Sequence, residues 1–264
     1  MRYADLFRAD PIPAPCIEMS TSIVQVYTSE GFVVAADGRK GHLETHRVVD
    51  DNVQKVFSIQ QPGRELAYAL SGTVVITAKD NEETLYDFVV ETAKAVKELS
   101  ARKLRSLWHY AEALSDLLLP LPDEALAALD TFDENLQATI IFLIGYYDGR
   151  PKCAHIKIFY DGQVPEISTD ELHRGHPLGV GSEKILEALI NRDSFAKYRK
   201  PALRVEYNDR TLADAIEVAD SWMSAHCDPE AVEIDSKCSE IGGHVHICTI
   251  TPKDGFRWIV APRS

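Results

Sequence analysis

The sequence predicts an α+β fold in which two β-sheets pack between layers of helices. Along the chain, the hydrophobic spacing indicates strands, two helices, strands, two helices and strands. No internal repeat and no linker divides the sequence, and its 264 residues, 45% of them hydrophobic, can bury a substantial core. This order of elements suits two sheets covered by helices within one domain.

Runs of β-branched and apolar residues predict the first two strands. Residues 21–27 (TSIVQVY) and 32–36 (FVVAA) have the composition of strands, and the turn residues 28–31 (TSEG) separate them. The second run leads directly into Asp37 and Arg39, so charge is placed where a buried strand ends. A hairpin with a charged end is therefore expected at the start of the domain.

Six further strands are predicted from apolar runs and alternation. They cover residues 53–58, 66–71, 137–147, 155–160, 245–251 and 256–260. Lys55 is set between apolar residues in the first of these strands. Asp161-Gly162 is the strongest hairpin-turn dipeptide in the chain. The last two runs are expected to form a C-terminal hairpin.

Four helices are predicted from apolar residues that recur on one helical face. They are expected over residues 82–100, over residues 102–119, after Ser182 and after Thr211. Asp80 or Asn81 can cap the first helix and Ser182 the third. Thr211 and Asp214 have the spacing of a capping box.

Composition and charge exclude several functional classes. The net charge of −13 argues against binding to nucleic acid or to an anionic membrane, because both require clusters of Lys and Arg. Five cysteines without a C-x-x-C motif indicate free thiols in a reducing compartment. No apolar run reaches the length of a membrane span, and the first 20 residues lack the apolar centre of a signal peptide. We therefore expect a cytoplasmic protein.

The N-terminal segment differs in character from the rest of the chain. Residues 1–20 contain three prolines and mixed charge, which makes independent folding unfavourable. They are expected to be a leader or an N-terminal arm, followed by a single domain of residues 21–264.

Gly179 and Gly181 do not fit a phosphate-binding loop, because neither a strand nor a following Lys-Ser/Thr accompanies them. No cofactor is expected.

The predicted hairpin and the lysine that follows it resemble the start of a proteasome β-type subunit, or of the bacterial proteasome-like peptidase that partners an ATPase. Both belong to the N-terminal nucleophile (Ntn) hydrolase superfamily. When the sequence is aligned on Gly31, Thr21 falls on the family's N-terminal nucleophile. Asp37 and Arg39 fall on its acid and its arginine. Lys55 falls on its active-site lysine, with two extra residues in the intervening loop.

The resemblance extends unevenly across the chain and implies a four-layer αββα sandwich of two mainly antiparallel sheets. Residues 69–72 (ALSG) resemble the strand that ends in the family's oxyanion-hole glycine, which assigns that role to Gly72. The sequence at 144–149 (IGYYDG) is similar to the family's G-x-D-G strand end, and the last two strands resemble its C-terminal hairpin. Arg39 and Ser182 are expected to support the site.

Three parts of the sequence depart from the family pattern. The family usually has Gly immediately before the nucleophile, where this chain has Ser20. The loop before the third helix reads Gly-Val-Gly-Ser and ends on Ser182, where the family usually has Gly-Ser-Gly. The positions aligned with the family's Asp-x-x-Ser, before its paired glycines, are Cys238 and Ile241. Asp235 and Ser239 lie nearby but out of register. The surroundings of the catalytic residues are therefore expected to differ from those of the family.

The resemblance implies amide hydrolysis through an acyl-enzyme, with Thr21, Asp37 and Lys55 as the catalytic residues. Cleavage after Ser20 would free the α-amine of Thr21, whose ordinary pKa of about 7.7–8.0 suits it to accept the hydroxyl proton. The backbone N–H of Gly72 would stabilise the oxyanion. The resemblance also implies a ring-shaped homo-oligomer, a possible ATPase unfoldase partner, and unfolded protein or peptide as the substrate.

Two alternatives remain open at this stage. The chain could be a non-catalytic, unprocessed proteasome-fold subunit with a structural role, or a small-molecule amidase on the same fold. Taken alone, Thr21 is typical of a strand edge, and Lys55 is typical of an edge strand protected against aggregation. His244 and His246 share one face of a strand, but no third ligand is evident, so no metal site is expected.

Overall fold

The computed structural model describes residues 16–20, 22–42, 47–78, 83–119, 121–123, 125, 137–159 and 164–263. Within them the chain is a mixed α/β structure with two antiparallel sheets and several helices. The prediction of two mainly antiparallel sheets combined with helices is confirmed at this level. No helix in the described part of the chain combines the length and the apolar character needed to cross a membrane.

Fourteen strands are found among the described residues. In chain order they are β1 (Cys16–Ser20), β2 (Ile23–Tyr27), β3 (Phe32–Ala36), β4 (Lys40–His42), β5 (Val48–Asp50), β6 (Val56–Gln61), β7 (Arg64–Thr77), β8 (Thr84–Asp87), β9 (Gln137–Tyr147), β10 (Arg150–Phe159), β11 (Glu166–Thr169), β12 (Pro177–Val180), β13 (His246–Thr251) and β14 (Gly255–Val260).

Five α-helices have both ends within the described residues, and residues 123 and 125 are also helical. The five are α1 (Phe88–Leu99), α2 (Leu107–Leu118), α3 (Glu183–Asn191), α4 (Leu212–His226) and the single turn α5 (Ala231–Ile234). Short 3₁₀ segments connect the later helices, at Asp193–Tyr198, Pro201–Arg204, Tyr207–Asp209 and Ser236–Glu240.

The larger sheet is built around the 14-residue strand β7. Its strand order is β11-β10-β9-β7-β1-β4-β5, and β6 and β8 also pair with β7. The first half of β7 lies between β6 and β9, whereas Gly72 at its middle pairs with Ser20 of β1 on one side and Thr139 of β9 on the other. β1 and β6 therefore follow one another along the same edge of β7.

The smaller sheet has the order β12-β2-β3-β13-β14. Its β2–β3 hairpin pairs Ile23 with Ala36 and Tyr27 with Phe32, as the turn residues between the two runs predict. The turn requires glycine at residue 31, because a Cβ at Gly31 would lie 2.6 Å from the carbonyl oxygen of Ile250 in β13. The C-terminal hairpin of β13 and β14 is likewise confirmed.

Four apolar clusters hold these elements together; the fourth joins α3, the end of α4 and α5, and the other three involve the sheets. The first combines the larger sheet with α1 and α2, and includes Leu70, Phe88, Leu99, Tyr110 and Leu114. The second contains residues of both sheets, including Phe32, Val34, Ala67, Phe142 and Ile250. The third joins the smaller sheet to α4, and includes Val24, Val33, Val218, Ala219 and Met223. The full burial of these side chains gives the main stabilising contribution to the fold.

The first helix begins later than its hydrophobic spacing predicts. Residues 84–87 form β8, which pairs with the end of β7, because the chain turns back as a hairpin before the helix starts. Asp87 is the N-cap, and its Oδ1 accepts hydrogen bonds from Val89 N at 2.8 Å and Val90 N at 3.0 Å. The predicted caps Asp80 and Asn81 lie outside the described residues.

Other element boundaries also differ from those predicted. The strand predicted at 53–58 starts at Val56, so Lys55 precedes it, and the strand predicted at 66–71 extends through the whole of β7. The capping box of Thr211 and Asp214 is confirmed at the start of α4. The strand predicted at 155–160 is the longer β10. The turn predicted at Asp161-Gly162 lies outside the described residues.

Candidate active site

The candidate site is centred on a buried ion pair between Asp37 and Lys55. Asp37 directly follows β3 and Lys55 directly precedes β6, so the pair joins the two sheets. Lys55 Nζ lies 2.6 Å from Asp37 Oδ1, and the side chains are 1% and 0% exposed. Burial lowers the pKa of Lys55 below its ordinary value, and the Asp37 carboxylate offsets part of that effect.

Three backbone N–H groups also bind the Asp37 carboxylate. Oδ1 accepts a hydrogen bond from Ser22 N at 3.0 Å. Oδ2 accepts from Arg39 N at 3.2 Å and from Gly242 N at 3.1 Å. With Lys55, four donors compensate the carboxylate for its removal from water, which a buried charge requires.

Thr21, the predicted nucleophile, lies outside the described residues. Ser22, the next residue, makes two hydrogen bonds with Asp37. Its backbone N donates to the Asp37 carboxylate, and its carbonyl oxygen accepts from Asp37 N at 3.3 Å. The residue that precedes it, Ser20, ends β1. The backbone on either side of residue 21 is thus placed by β1 and by the buried acid.

The segment before Thr21 forms a strand with a partner on each edge. One edge pairs with β7, from Cys16 opposite Thr77 to Ser20 opposite Gly72. The other edge pairs with β4, where Glu18 lies opposite His42. Gly72 has a φ of +89°, a conformation that glycine adopts readily. The predicted oxyanion-hole residue therefore lies directly opposite the residue whose peptide bond would be cut.

Arg39 does not direct its guanidinium toward Asp37. Its Nε lies 2.8 Å from Asp51 Oδ1, and its Nη1 donates to the carbonyl of Ile241 at 3.4 Å. Its contribution to the carboxylate is the backbone N–H. The guanidinium covers Gly242 closely enough that a Cβ there would lie 2.5 Å from Arg39 Cζ. Arg39 and Gly242 therefore fix the loop that contributes an N–H to Asp37.

Ser182 is the other residue predicted to support the site. It binds Asp235, which lies out of register with the Asp of the family's Asp-x-x-Ser pattern. Its hydroxyl donates to Asp235 Oδ2 at 2.7 Å. The hydrogen bond from Ser182 lowers the pKa of Asp235. Because the hydroxyl is engaged there, Ser182 occupies the N-cap position of α3 without making a side-chain cap hydrogen bond, contrary to prediction.

The structure adds two residues that the sequence did not indicate. His226 at the end of α4 accepts a hydrogen bond from Ser182 N through Nε2 at 3.0 Å, and its Nδ1 lies 2.9 Å from the carbonyl of Trp222. Burial lowers the pKa of His226, which favours the neutral ring that this arrangement needs. Cys227 follows, and burial raises its pKa to about 12. Neither residue belongs to a motif, so only the fold could reveal them.

The arrangement is suited to stabilise a neutral amine or a developing negative charge near residue 21. The ammonium of Lys55 is the charged donor at the core of the site, and Asp37 holds it at 2.6 Å. A cation in a water-excluded site acts at higher effective strength than in solvent. The structure brings together Asp37, Lys55 and the backbone of Arg39, and places Gly72 opposite Ser20.

No protein-family model matches the chain, and no curated protein matches it. Two solved structures are similar to it over most of its length. Anbu (ancestral beta-subunit) from Yersinia bercovieri is 12% identical, with a TM-score of 0.50, and the match covers 91% of this chain and 87% of that one. An Anbu (Gly-1) mutant from Hyphomicrobium sp. strain MC1 is 15% identical, with a TM-score of 0.52, and the match covers 92% and 88%.

These likenesses define the class of fold and correct the family expected from the sequence. Anbu proteins are proteasome-like but form a distinct family, so the assignment to the proteasome β-type subunits or to the ATPase-partnered bacterial peptidase is wrong. The chain is a proteasome-fold protein.

Proposed function

We propose that the protein is a threonine-type peptidase in which cleavage after Ser20 exposes Thr21 as an N-terminal nucleophile. The observation that carries the proposal is the fully buried Lys55–Asp37 pair, whose carboxylate also binds the backbone N–H of Ser22. Removing the charges of a lysine and an aspartate from water costs free energy. Such a buried pair is retained where its contacts offset that cost or where its charges serve a function. The hydrogen bond between Asp37 and Ser22, the residue that follows the proposed nucleophile in sequence, supports a catalytic use.

In the proposed mechanism, the α-amine of Thr21 accepts the proton of its own hydroxyl. The hydroxyl oxygen attacks the carbonyl carbon of the peptide bond, and the Gly72 N–H stabilises the oxyanion. The leaving amine takes the proton, and water then hydrolyses the acyl-enzyme. The positive charge of Lys55 favours the neutral α-amine, because a like charge disfavours its protonation, and Asp37 keeps Lys55 in place.

The position of β1 supports a peptide substrate. Residues 16–20 lie between β4 and β7, with Ser20 opposite Gly72. Once the leader is removed, an extended peptide can pair with the same two edges, and its scissile carbonyl would meet Gly72. A small-molecule amidase has no use for two strand edges, so the paired position of β1 favours the peptidase over that alternative.

The remaining expectations form part of the same proposal. Residues 1–20 are a leader, and residues 21–264 are a single domain. We infer that its layers stack as a four-layer αββα sandwich, because one apolar cluster joins helices to the larger sheet, one spans both sheets and one joins the smaller sheet to α4. We further propose a ring-shaped homo-oligomer in the cytoplasm.

A second candidate is a structural subunit that keeps its leader. The observation in its favour is that β1 is hydrogen-bonded on both edges, so the leader contributes to the larger sheet. In that case the buried ion pair would hold the two sheets together without catalysis. The two candidates differ in whether Thr21 has a free amine.

Hydrolysis of fluorogenic peptides and of an unfolded protein separates the candidates. We expect the wild-type protein to cleave both, and Thr21→Ala to lose activity by at least about 10³-fold, because the nucleophile is removed. Thr84→Ala, which truncates an exposed threonine in β8, is the matched control and should keep full activity. Equal activity in Thr21→Ala and the wild type would refute the peptidase.

A further inference from the structure

A second cluster of reactive side chains lies at β10 and β11, on residues that the proposed peptidase mechanism does not use. It consists of Cys153, His155 and Asp170, whose ligand atoms all lie within 4.8 Å of one another. Cys153 Sγ is 3.6 Å from His155 Nε2, and that nitrogen is 2.8 Å from Asp170 Oδ2. Among the described residues it is the one group of three or more His, Cys, Asp or Glu side chains with metal-ligand spacing.

The fold brings these three residues together from a strand and the loop after its neighbour. Cys153 and His155 are two residues apart on β10, so both side chains point to the same face of the sheet. Asp170 follows β11, and its backbone N donates to Cys153 O at 3.3 Å, which places it beside the thiol. Phe142 of β9 packs against the imidazole in a T-shaped contact at 4.5 Å.

Gln25 of β2 completes the cluster from the opposite sheet. Its amide Nε2 donates to Cys153 Sγ at 3.1 Å, and the glutamine is 3% exposed. An N–H donated to sulfur stabilises a thiolate, and donors of this kind commonly surround metal-bound cysteines. A neutral core cysteine does not require such a partner. Cys153 itself is 1% exposed.

Two buried oxygens of the cluster lack a hydrogen-bond donor within the described part of the chain. They are Gln25 Oε1 and Asp170 Oδ2. Asp170 Oδ2 lies close to His155 Nε2, but the contact does not have hydrogen-bond geometry. Buried oxygens are rarely left without a partner in native proteins. A cation between the side chains would satisfy the carboxylate oxygen.

The geometry distinguishes a metal site from a cysteine–histidine–aspartate relay. In a relay the acid orients one ring nitrogen while the other takes the proton of the nucleophile. Here Cys153 Sγ and Asp170 Oδ2 both approach Nε2 of His155. The three candidate ligand atoms lie within 4.8 Å of one another, a spacing that one ion can bridge.

We propose that Cys153, His155 and Asp170 bind a zinc ion. Thiolate, imidazole and carboxylate together suit Zn²⁺ better than Mg²⁺ or Ca²⁺, which prefer oxygen ligands. A tetrahedral Zn²⁺ with ligand distances of about 2.3 Å to sulfur and about 2.0 Å to nitrogen separates those two atoms by about 3.6 Å. That separation matches the pair of Cys153 and His155, and the carboxylate would move outward by about half an ångström.

The cluster adjoins an open cleft through Asp170. The cleft of about 360 Å³ is lined by Tyr27, Pro151, Lys152, Asp170, Glu171 and Leu172. Cys153 and His155 do not line it, so Asp170 is the residue shared by the cleft and the cluster. The proposed zinc site differs from the sequence expectation of no metal site, which rested on the pairs His244/His246 and His173/His176. His244 Nε2 and His246 Nε2 instead lie within hydrogen-bond distance of backbone carbonyls of Ala261 and Val53.

Metal binding can be tested on the untagged full chain without any measurement of peptidase activity. The protein is stripped with a chelator, and Zn²⁺ affinity is measured by competition with a chromophoric chelator. Co²⁺ is then added as a spectroscopic probe. We expect one Zn²⁺ per chain, and a thiolate-to-Co²⁺ charge-transfer band with the absorption pattern of a tetrahedral ion. All measurements use the Thr21→Ala variant, which is expected to keep residues 1–20, so that leader removal does not affect the metal binding measured.

Variants assign the ligands. Cys153→Ser should abolish the charge-transfer band, and Asp170→Asn should weaken Zn²⁺ binding by at least about 100-fold. Gln25→Leu, which removes the amide that donates to sulfur, should weaken it by about 10–100-fold. Cys238→Ser, which alters a buried cysteine of a different apolar cluster, is the control and should bind Zn²⁺ like the parent. Absence of stoichiometric Zn²⁺ binding, or equal affinity in Cys153→Ser and the parent, would overturn the proposal.

Discussion

Removing the charge of Lys55 should destabilise the protein strongly, because it leaves Asp37 buried without its cationic partner. In Lys55→Met the aliphatic volume is largely kept, while the 2.6 Å ion pair between side chains 1% and 0% exposed is lost. Breaking a buried pair from one side costs about 3–5 kcal/mol. Asp37 keeps the N–H donors of Ser22, Arg39 and Gly242, so we expect a loss at the lower end, about 3 kcal/mol.

Urea unfolding monitored by circular dichroism measures this loss as a lower midpoint at unchanged slope. A loss of about 3 kcal/mol corresponds to a drop in melting temperature of roughly 6–12 °C for a chain of this size. Asp37→Asn/Lys55→Met removes both charges and should be more stable than Lys55→Met by at least about 1 kcal/mol, because no unpaired charge remains. A loss below about 1 kcal/mol in Lys55→Met would refute the reasoning, since the pair would then not be isolated from water.

Three further outcomes follow from the same structure. Burial lowers the pKa of Lys55 in the folded protein, so the unfolded chain binds this proton more tightly. The stability of the wild type should therefore rise relative to that of Lys55→Met as pH increases toward 10.5. A difference in urea midpoints that does not change with pH would contradict this. Asp87→Ala removes the cap of α1 and should cost about 0.5–2 kcal/mol of unfolding free energy, whereas the same change at the exposed Asp116 should cost little. Burial raises the pKa of Cys227 to about 12, so its thiol should not react with iodoacetamide at about pH 8 in the folded protein. Mass spectrometry should find Cys227 alkylated only after urea is added. Rapid labelling of the folded protein would show instead that the thiol is accessible.

The residues around the first hairpin could be predicted from the sequence because their constraints are local. β3 is a continuous apolar run, and the charge directly after it marks its buried end, so the sequence pattern is enough to locate Asp37 at that end. A lysine between apolar residues has few stable surroundings other than an acid or the surface. That pattern alone did not choose between the two, and Lys55 was assigned to the site with Asp37 through the resemblance, although the family to which the resemblance pointed was wrong.

The rest of the site depends on contacts between distant parts of the chain. His226 and Asp235 reach Ser182 from segments more than 40 residues away, and no local pattern marks them. β1 has a mixed composition (CIEMS) and forms a strand because β4 and β7 supply its hydrogen bonds. The start of α1 was misplaced for a related reason, since β8 is held by its pairing with β7 and its sequence also suits a helix.

The cluster at β10 shows the same limit of sequence reasoning. Cys153 and His155 are two residues apart, but a cysteine and a histidine at this spacing are common on strands and predict no site. Asp170 and Gln25 join them through the β10–β11 pairing and the packing of one sheet on the other. Only the assembled fold reveals that four polar side chains meet there.

The central claim is that Thr21 becomes the first residue of the mature protein, and intact mass with N-terminal sequencing tests it most directly. Freshly purified wild-type protein and Thr21→Ala are compared after the same incubation. The account predicts a wild-type chain that begins at Thr21 and a variant that keeps residues 1–20. A folded wild-type chain that keeps residues 1–20 indefinitely would contradict the account, because Thr21 would have no free amine to activate its hydroxyl.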